Sequence, residues 1–336
     1  MSRVEAGAPG RPRRTRRKRV LDVLRIGFLV VVLVAVGAAL WSNWEEVRGD
    51  LGRIGPVTLL AATALAMLSP FVTVLGWRVL LADLGSRLHI APASGVFFVG
   101  QLGKYLPGSV WSVVVQTDMA HRLGVPRRRT AVVGLLTIAL SALTGMILGL
   151  PALPVLLTRG DAVVPWWSLV LIIGVLGVLL WPPVLNRGIR TMLRLLRRDP
   201  LEHDLTHAAV GLSSLWFASS WLVGGLSVWV MARNLAPDDA DASRLLLVAV
   251  SGYLLAAGIG MFSIVVPAGV GVRDGVMILL LATSMSVSAA TAVVVVARFL
   301  TVLADVVWAA VGWLWAKTHD LLPSPAGPGA APQGDR

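Results

Sequence analysis

The chain reads as an all-α, polytopic integral membrane helical bundle, and three observations predict that class. Charged residues fill only 14% of 336 positions and hydrophobic ones 56%, whereas a soluble domain carries about a quarter charged residues. Mean hydropathy is +0.77, and the apolar residues gather in runs of about twenty, the length a helix needs to cross a bilayer. Basic residues collect on alternate loops, the asymmetry that sets topology. Together these predict about seven or eight spans. The domain boundaries follow: a basic cytoplasmic tail over 1–20, a membrane domain over 21–317 and a Pro/Gly/Ala-rich tail over 318–336 that reads as disordered. There is no cysteine, which excludes disulfides, thiolate metal sites and cysteine nucleophiles. The formal charge of +12 suits loops beside anionic lipid rather than nucleic-acid binding. Abundant Arg, Ala, Val and Gly suggest a GC-rich bacterial genome.

In order, the tail carries seven basic residues between Arg11 and Arg19, which predict a cytoplasmic N-terminus. The run from Leu24 to Trp41 is long enough to span, and no convincing small-residue cleavage site follows it, so it reads as a retained signal anchor. A loop over 42–55 is slightly acidic, as an outside loop should be. The second span covers Pro56 to Leu81. The third covers Thr130 to Leu157, and the fourth Val163 to Leu185. Arg187, Arg190, Arg194 and Arg197 then recur at spacings of three and four, predicting a basic amphipathic helix at the inner membrane surface. Further spans cover Ala208 to Ala232, Arg244 to Val266 and Ala289 to Ala316. Glu202-His203-Asp204-Leu205-Thr206-His207 places two histidines four apart but lacks the HExxH glutamate placement; a polar loop running into a helix start is the better reading.

Two stretches interrupt this pattern. Between the second and third spans lie two apolar pieces, Ala93 to Leu106 and Val110 to Met119, each shorter than a crossing requires. They are separated by Pro107-Gly108, with Lys104, Tyr105 and Trp111 at the flanks. A re-entrant hairpin accounts for them, and two amphipathic helices on the membrane surface are the alternative. The second break is Val265-Val266-Pro267-Ala268-Gly269-Val270-Gly271-Val272-Arg273-Asp274-Gly275. Pro267 stops the incoming helix, Gly269 and Gly271 permit unusual backbone, and Asp274 reads as the N-cap of a short helix through Leu281. If 276–283 counted as part of an eighth crossing, the C-terminus would change sides. Broken backbone at membrane depth is tolerated only where protein buries it or where it lines a wet cavity. Gly/Pro-interrupted segments in corresponding positions of two halves point to a transporter's binding site. The breaks, 103–111 and 265–275, sit in similar surroundings in each half, an echo that fits a parallel two-fold internal repeat.

Charges inside spans are costly and mark function by default. Arg298 and Asp305 share one face of the last helix, about 10 Å apart along its axis. That is too far for a ready ion pair, so each needs a partner elsewhere, and Asp274 is the candidate for Arg298. A structural lock between helices and an anion-binding cavity both remain open for Arg298. Lys104, Tyr105 and Trp111 fit interfacial anchoring as well as a headgroup-binding rim. Arg273-Asp274 sits at a helix N-terminus, an anion-attracting place. The nearby GxG lacks a βαβ context, and no GxxxxGK[ST] occurs, so ATP and dinucleotides are rejected. No cofactor or metal is expected.

At both breaks the chain resembles a known family. Lys104-Tyr105-Leu106-Pro107-Gly108-Ser109-Val110-Trp111 is similar to its RYLPGGVW signature, and Pro267-Ala268-Gly269-Val270-Gly271-Val272-Arg273-Asp274 to its PGGLGVRE signature. The family is the lysylphosphatidylglycerol synthase transmembrane region, also called flippase-like, and the likeness spans about 20–316. The four substitutions, Lys104, Ser109, Ala268 and Asp274, keep charge or small size. The resemblance implies a helical membrane domain that moves a lipid between leaflets. The soluble domain that aminoacylates phosphatidylglycerol in full-length relatives is expected to be missing, because the chain ends soon after its last span.

These readings converge on a non-enzymatic, flippase-like transporter of the bacterial inner membrane, handling an anionic or polar-headgroup phospholipid or glycolipid. Its expected substrate-contacting residues are Lys104, Tyr105, Pro107, Gly108, Trp111, Pro267, Gly269, Gly271, Arg273, Asp274, Arg298 and Asp305. The alternatives are an intramembrane enzyme on a lipid or polyprenyl carrier, with Asp274 or Asp305 as general base, and a scaffold for a lipid-modifying partner enzyme.

Overall fold

The computed structural model describes residues 44–105, 111–157, 165–261 and 271–319. The described helices belong to one compact unit, Asn43–Arg336. The first predicted span, the sequence at 106–110 with Pro107 and Gly108, the short loop at 158–164, the sequence at 262–270 with Pro267 and Gly269, and the last tail residues lie outside the described residues.

Twelve α-helices and no strand occur among the described residues: α1 (Trp44–Arg53), α2 (Pro56–Asp83), α3 (Ile90–Gln101), α4 (Trp111–Arg122), α5 (Arg127–Gly149), α6 (Ala152–Leu157), α7 (Trp166–Leu179), α8 (Pro182–Leu195), α9 (His207–Leu235), α10 (Ala242–Met261), α11 (Val272–Leu281) and α12 (Val287–Thr318). The all-helical, polytopic class is borne out. Helices α2, α5, α9, α10 and α12 are long and apolar enough to cross a membrane, and α7 with α8 makes a sixth if that bent pair is one span. At ten residues, α11 is too short to cross alone.

Some boundaries differ from expectation, each for a local reason. Most of the loop expected over 42–55 folds as α1 (Trp44–Arg53). The third span ends at Gly149, and Pro151 separates α5 from the one-and-a-half-turn α6; proline cannot donate to the preceding turn. The fourth span bends by 56° where Pro182-Pro183 follows Trp181, so the basic stretch becomes α8. Its arginines are exposed, while Ile189 and Leu193 sink into the main core.

Helices α2 and α9 form the backbone of the bundle. Along their antiparallel contact, Ser213 Oγ donates to Gly76 O (3.2 Å), Ser220 Oγ to Ser69 O (2.7 Å) and Ser227 Oγ to Ala62 O (2.9 Å). Both members step by seven residues, the repeat that keeps two helices face to face along a left-handed seam. Polar side chains bonding across helices are the usual adhesive where lipid tails remove the hydrophobic incentive to associate. Gly76 lies against Phe217, leaving no room for a Cβ. On the far side, Trp308 of α12 donates its indole N–H to Met67 O at 2.8 Å, tying α12 to α2.

The pieces around the first break pack inside the bundle. Gly95, Val96, Phe97 and Phe98 of α3 are all buried, so that turn has no solvent face, as a surface amphipathic helix would require. Phe98 stacks on Trp308 with centroids 4.8 Å apart, and Gly95 makes room for Trp315. The chain returns as α4, with Gly100 against Gln116 and Gly103 against the Ser112 backbone. A folded-back helical hairpin, rather than a surface pair, is what these contacts describe.

Candidate functional site

Two ion pairs on one helix organise the site. The hairpin side is held by Lys104, in the 3-10 turn Leu102–Tyr105 that continues α3. Its Nζ lies 2.7 Å from Oδ2 of Asp305, whose side chain is 4% exposed. Two turns earlier on α12, Arg298 Nη1 lies 4.0 Å from Oδ1 of Asp274, with both side chains about one-fifth exposed. Arg298 and Asp305 thus do not pair with one another. Each reaches the segment beside a different break, and Asp274 is Arg298's partner, as spacing alone suggested.

The head of α11 corrects one expectation. Gly271, not Asp274, occupies the N-cap, with φ +84°, a left-handed conformation that glycine adopts without steric cost. Asp274 stands three residues into the helix and reaches back, its Oδ2 accepting the Gly271 N–H at 3.2 Å. Its carboxylate therefore fixes the helix entry with one oxygen and faces Arg298 with the other. An acidic group there also suits the positive end of the helix dipole.

Arg273 points elsewhere. Its guanidinium lies 4.8 Å from the centroid of the Tyr253 ring, a cation–π contact. Tyr253 is buried on α10, meets Trp221 edge-on at 6.1 Å, and lies where Gly224 has no side chain to oppose it. The Trp221 indole donates to Ser141 O at 2.8 Å, anchoring the aromatic pair to α5. Nothing in the sequence reading singled out Tyr253. The available signal was that the chain has only two tyrosines, one beside the first break and this one on the span entering the second.

Arg273, Asp274 and Arg298 line a small cleft walled by Val228, Ala256 and Met277. Its free volume is about 10 Å³, roughly one water molecule. Two cations and one carboxylate leave the cleft electropositive, yet it is closed around no more than that. Of the remaining expected residues, Trp111 begins α4 and is half-exposed, and Tyr105 ends the 3-10 turn. Trp111 is not among the residues that line this cleft. Lys104 and Asp305 form the second pair, further along α12.

The loop Glu202–Thr206 does structural work. Glu202 Oε2 lies 2.6 Å from Arg129 Nη2, Asp204 pairs with Arg190, and the Thr206 hydroxyl caps α9 by accepting from Ala209 N at 3.1 Å. The polar loop entering a helix is borne out. Arg129 is buried while its neighbours Arg127 and Arg128 are not, a distinction invisible in a run of three arginines.

Fold and site define a polytopic helical membrane protein in which the segments beside two breaks, at Lys104 and at Asp274, meet one charged span. Residues 26–309 match the family model of the lysylphosphatidylglycerol synthase transmembrane region, and the chain belongs to that family. Its membership ties this membrane protein to lipid handling. No curated protein matches the sequence.

Proposed function

We propose that the protein is a flippase-like transporter that moves an anionic or polar-headgroup lipid between the leaflets of the bacterial inner membrane, without chemical turnover. The observation that carries this reading is the loose Arg298–Asp274 pair at the entry of α11. At 4.0 Å and partly accessible, the pair offers a guanidinium that a phosphate can take over in two-pronged fashion. Arg273, one residue from Asp274, adds a second cation held by an aromatic ring rather than by a carboxylate. The cleft is too small for a headgroup as it stands, so the reading requires α11 to move away from α12, with Asp274 released as the headgroup arrives. Both candidate general bases are already engaged, Asp305 by Lys104 and Asp274 by Arg298 and the Gly271 amide, so transport is favoured over turnover.

The test is transbilayer movement of headgroup-labelled phosphatidylglycerol in proteoliposomes, with binding and thermal stability followed alongside. Arg298→Gln is expected to lower binding and movement about tenfold or more while lowering stability by less than about 3 kcal/mol, because at 4.0 Å the pair is longer than a direct hydrogen bond. Adding Asp274→Asn should not restore movement. Unchanged lipid affinity in Arg298→Gln, with a stability loss that Asp274→Asn repairs, would make Arg298 a helix lock and defeat the proposal.

A further inference from the structure

We infer that Tyr253 is a positioning residue for anion recognition: its ring holds the Arg273 guanidinium without using any of its N–H donors, and so leaves them to the phosphate of the ligand. The inference rests on the proposed function and names the residue that keeps one of its two arginines available.

Three cations belong to the site, and carboxylates engage two of them. Lys104 lies 2.7 Å from Asp305, and Arg298 lies 4.0 Å from Asp274. Arg273 is in no ion pair and donates to no acceptor among the described residues; its partner is the Tyr253 ring, whose centroid is 4.8 Å from the guanidinium carbon. The neighbouring acid, Asp274, faces Arg298 with one oxygen and takes the Gly271 N–H with the other. A carboxylate partner would neutralise Arg273 and occupy the two-pronged edge of its guanidinium. An aromatic ring does neither. It stabilises the cation through its quadrupole, and the five donors of the guanidinium lie in the plane of that group. A cation inside a membrane bundle is costly without a partner, so the ring lowers that cost while charge and donors stay available.

The ring is seated by three helices. Tyr253 is 9% exposed on α10. On one side stands Gly224 of α9, where a Cβ would come within 2.9 Å of the ring and of its hydroxyl. Trp221, one turn earlier on α9, meets the ring edge-on. Trp221 is itself held by α5: its indole donates to Ser141 O, and Gly145, one turn further, leaves room for it, since a Cβ there would lie 3.0 Å from the indole nitrogen. Arg273, by contrast, is carried by α11, as the second residue of a helix that begins at the second break. Arg273 and Arg298 line the same cleft. The seated ring thus sets where the Arg273 charge stands relative to Arg298, and that separation decides whether one phosphate can meet both arginines.

The test varies the charge distribution of the ring at nearly constant shape. Tyr253→Phe keeps the ring, and one, two and three fluorines on that phenylalanine weaken its quadrupole in steps. Binding of headgroup-labelled phosphatidylglycerol to the full chain in phosphatidylcholine nanodiscs is measured, with thermal unfolding followed alongside to establish that each variant is folded. Affinity should stay within about twofold of wild type in Tyr253→Phe and fall stepwise with fluorination, to about tenfold weaker for the trifluoro ring. Arg273→Gln should lower affinity about tenfold by itself, and on that background the fluorine series should be flat, which a packing role for the ring would not produce. An affinity unchanged across the series, or one that falls equally with Arg273→Gln present, overturns the positioning role. An affinity that rises with fluorination would make the ring a restraint on Arg273 and overturns it as well. Arg298→Gln separates this failure from that of the proposed function. If it weakens binding while the fluorine series is flat, the role of Tyr253 alone falls. If it leaves binding unchanged, the proposed function falls, and a fluorine slope still upholds Tyr253. A wild type that binds no labelled lipid overturns both.

Discussion

The two attachments to α12 are built from the same charges in opposite order, yet they differ in tightness. At the first, a lysine on the hairpin meets an aspartate of α12 at 2.7 Å, and the aspartate is buried. At the second, an arginine of α12 meets an aspartate of α11 at 4.0 Å, with both side chains partly accessible. The first is reinforced by stacking of Phe98 on Trp308 and by the close approach of Gly95 to Gly312 and Trp315. The second adjoins a left-handed glycine and a nearly closed cleft. A buried pair with good geometry resists separation, whereas a loose one costs little to exchange for another partner. One attachment is thus short, with its carboxylate buried, and the other is longer, with its carboxylate partly accessible.

The largest effect should come from breaking the short attachment. Lys104→Met leaves the buried Asp305 carboxylate without its lysine, and unfolding in detergent should show a loss of about 3 kcal/mol, moderated because Lys104 itself is a third exposed. Lys104→Met with Asp305→Leu should recover most of that loss, because an apolar pair replaces an ionic one. A single-mutant loss no larger than that of Arg298→Gln would remove the distinction between the two attachments.

Gly271→Leu probes the longer attachment. At φ +84° a branched side chain brings about 1–3 kcal/mol of local strain. The expected result is a folded protein with reduced lipid movement and an intact Lys104–Asp305 attachment, read by hydrogen exchange at α3 and α11. Normal movement by well-folded Gly271→Leu would place the working site elsewhere.

The smallest effect concerns the far end of α10, away from both attachments. Asp241 accepts from the Ser243 hydroxyl at 2.6 Å and from the backbone N–H groups of Ser243 and Arg244. The Ser243 hydroxyl bond, followed by the Arg244 and Ser243 amides, holds its carboxyl below the usual carboxylate value. A depressed pKa contributes stability above the unfolded value and loses it as pH falls through the folded one. Acidification below about pH 4 should therefore fray the first turn of α10, seen as faster amide exchange at 243–245. Asp241→Ala should remove that pH dependence and leave lipid movement unchanged. Persistence of the pH-dependent fraying in Asp241→Ala would assign it to another group.

Much of this was legible in the sequence because membrane helices announce themselves by length and polarity. The spans α2, α9 and α12 fall within a few residues of expectation. The Arg298–Asp274 pairing was legible because a charge inside an apolar helix must find a counter-charge. Asp305 with Lys104 was not, since several acids and bases qualified and only the packing of α3 on α12 selects between them. Asp274 was misread as the cap because an acidic residue at a helix start usually is one; here glycine took that place through a conformation no sequence rule required. The proline at 151 and the pair at 182–183 were visible, but how sharply the chain turns there depends on which core each side packs into.

The serine contacts between α2 and α9 have a mechanical consequence. Three bonds at a common seven-residue pitch act as a zip fastener whose teeth engage together. Sliding one helix past the other by a single residue disengages every tooth at once, so the pair has no low-cost intermediate register. It behaves as a keel. Helix α7, by contrast, is loosely held, with Leu176 its single buried residue.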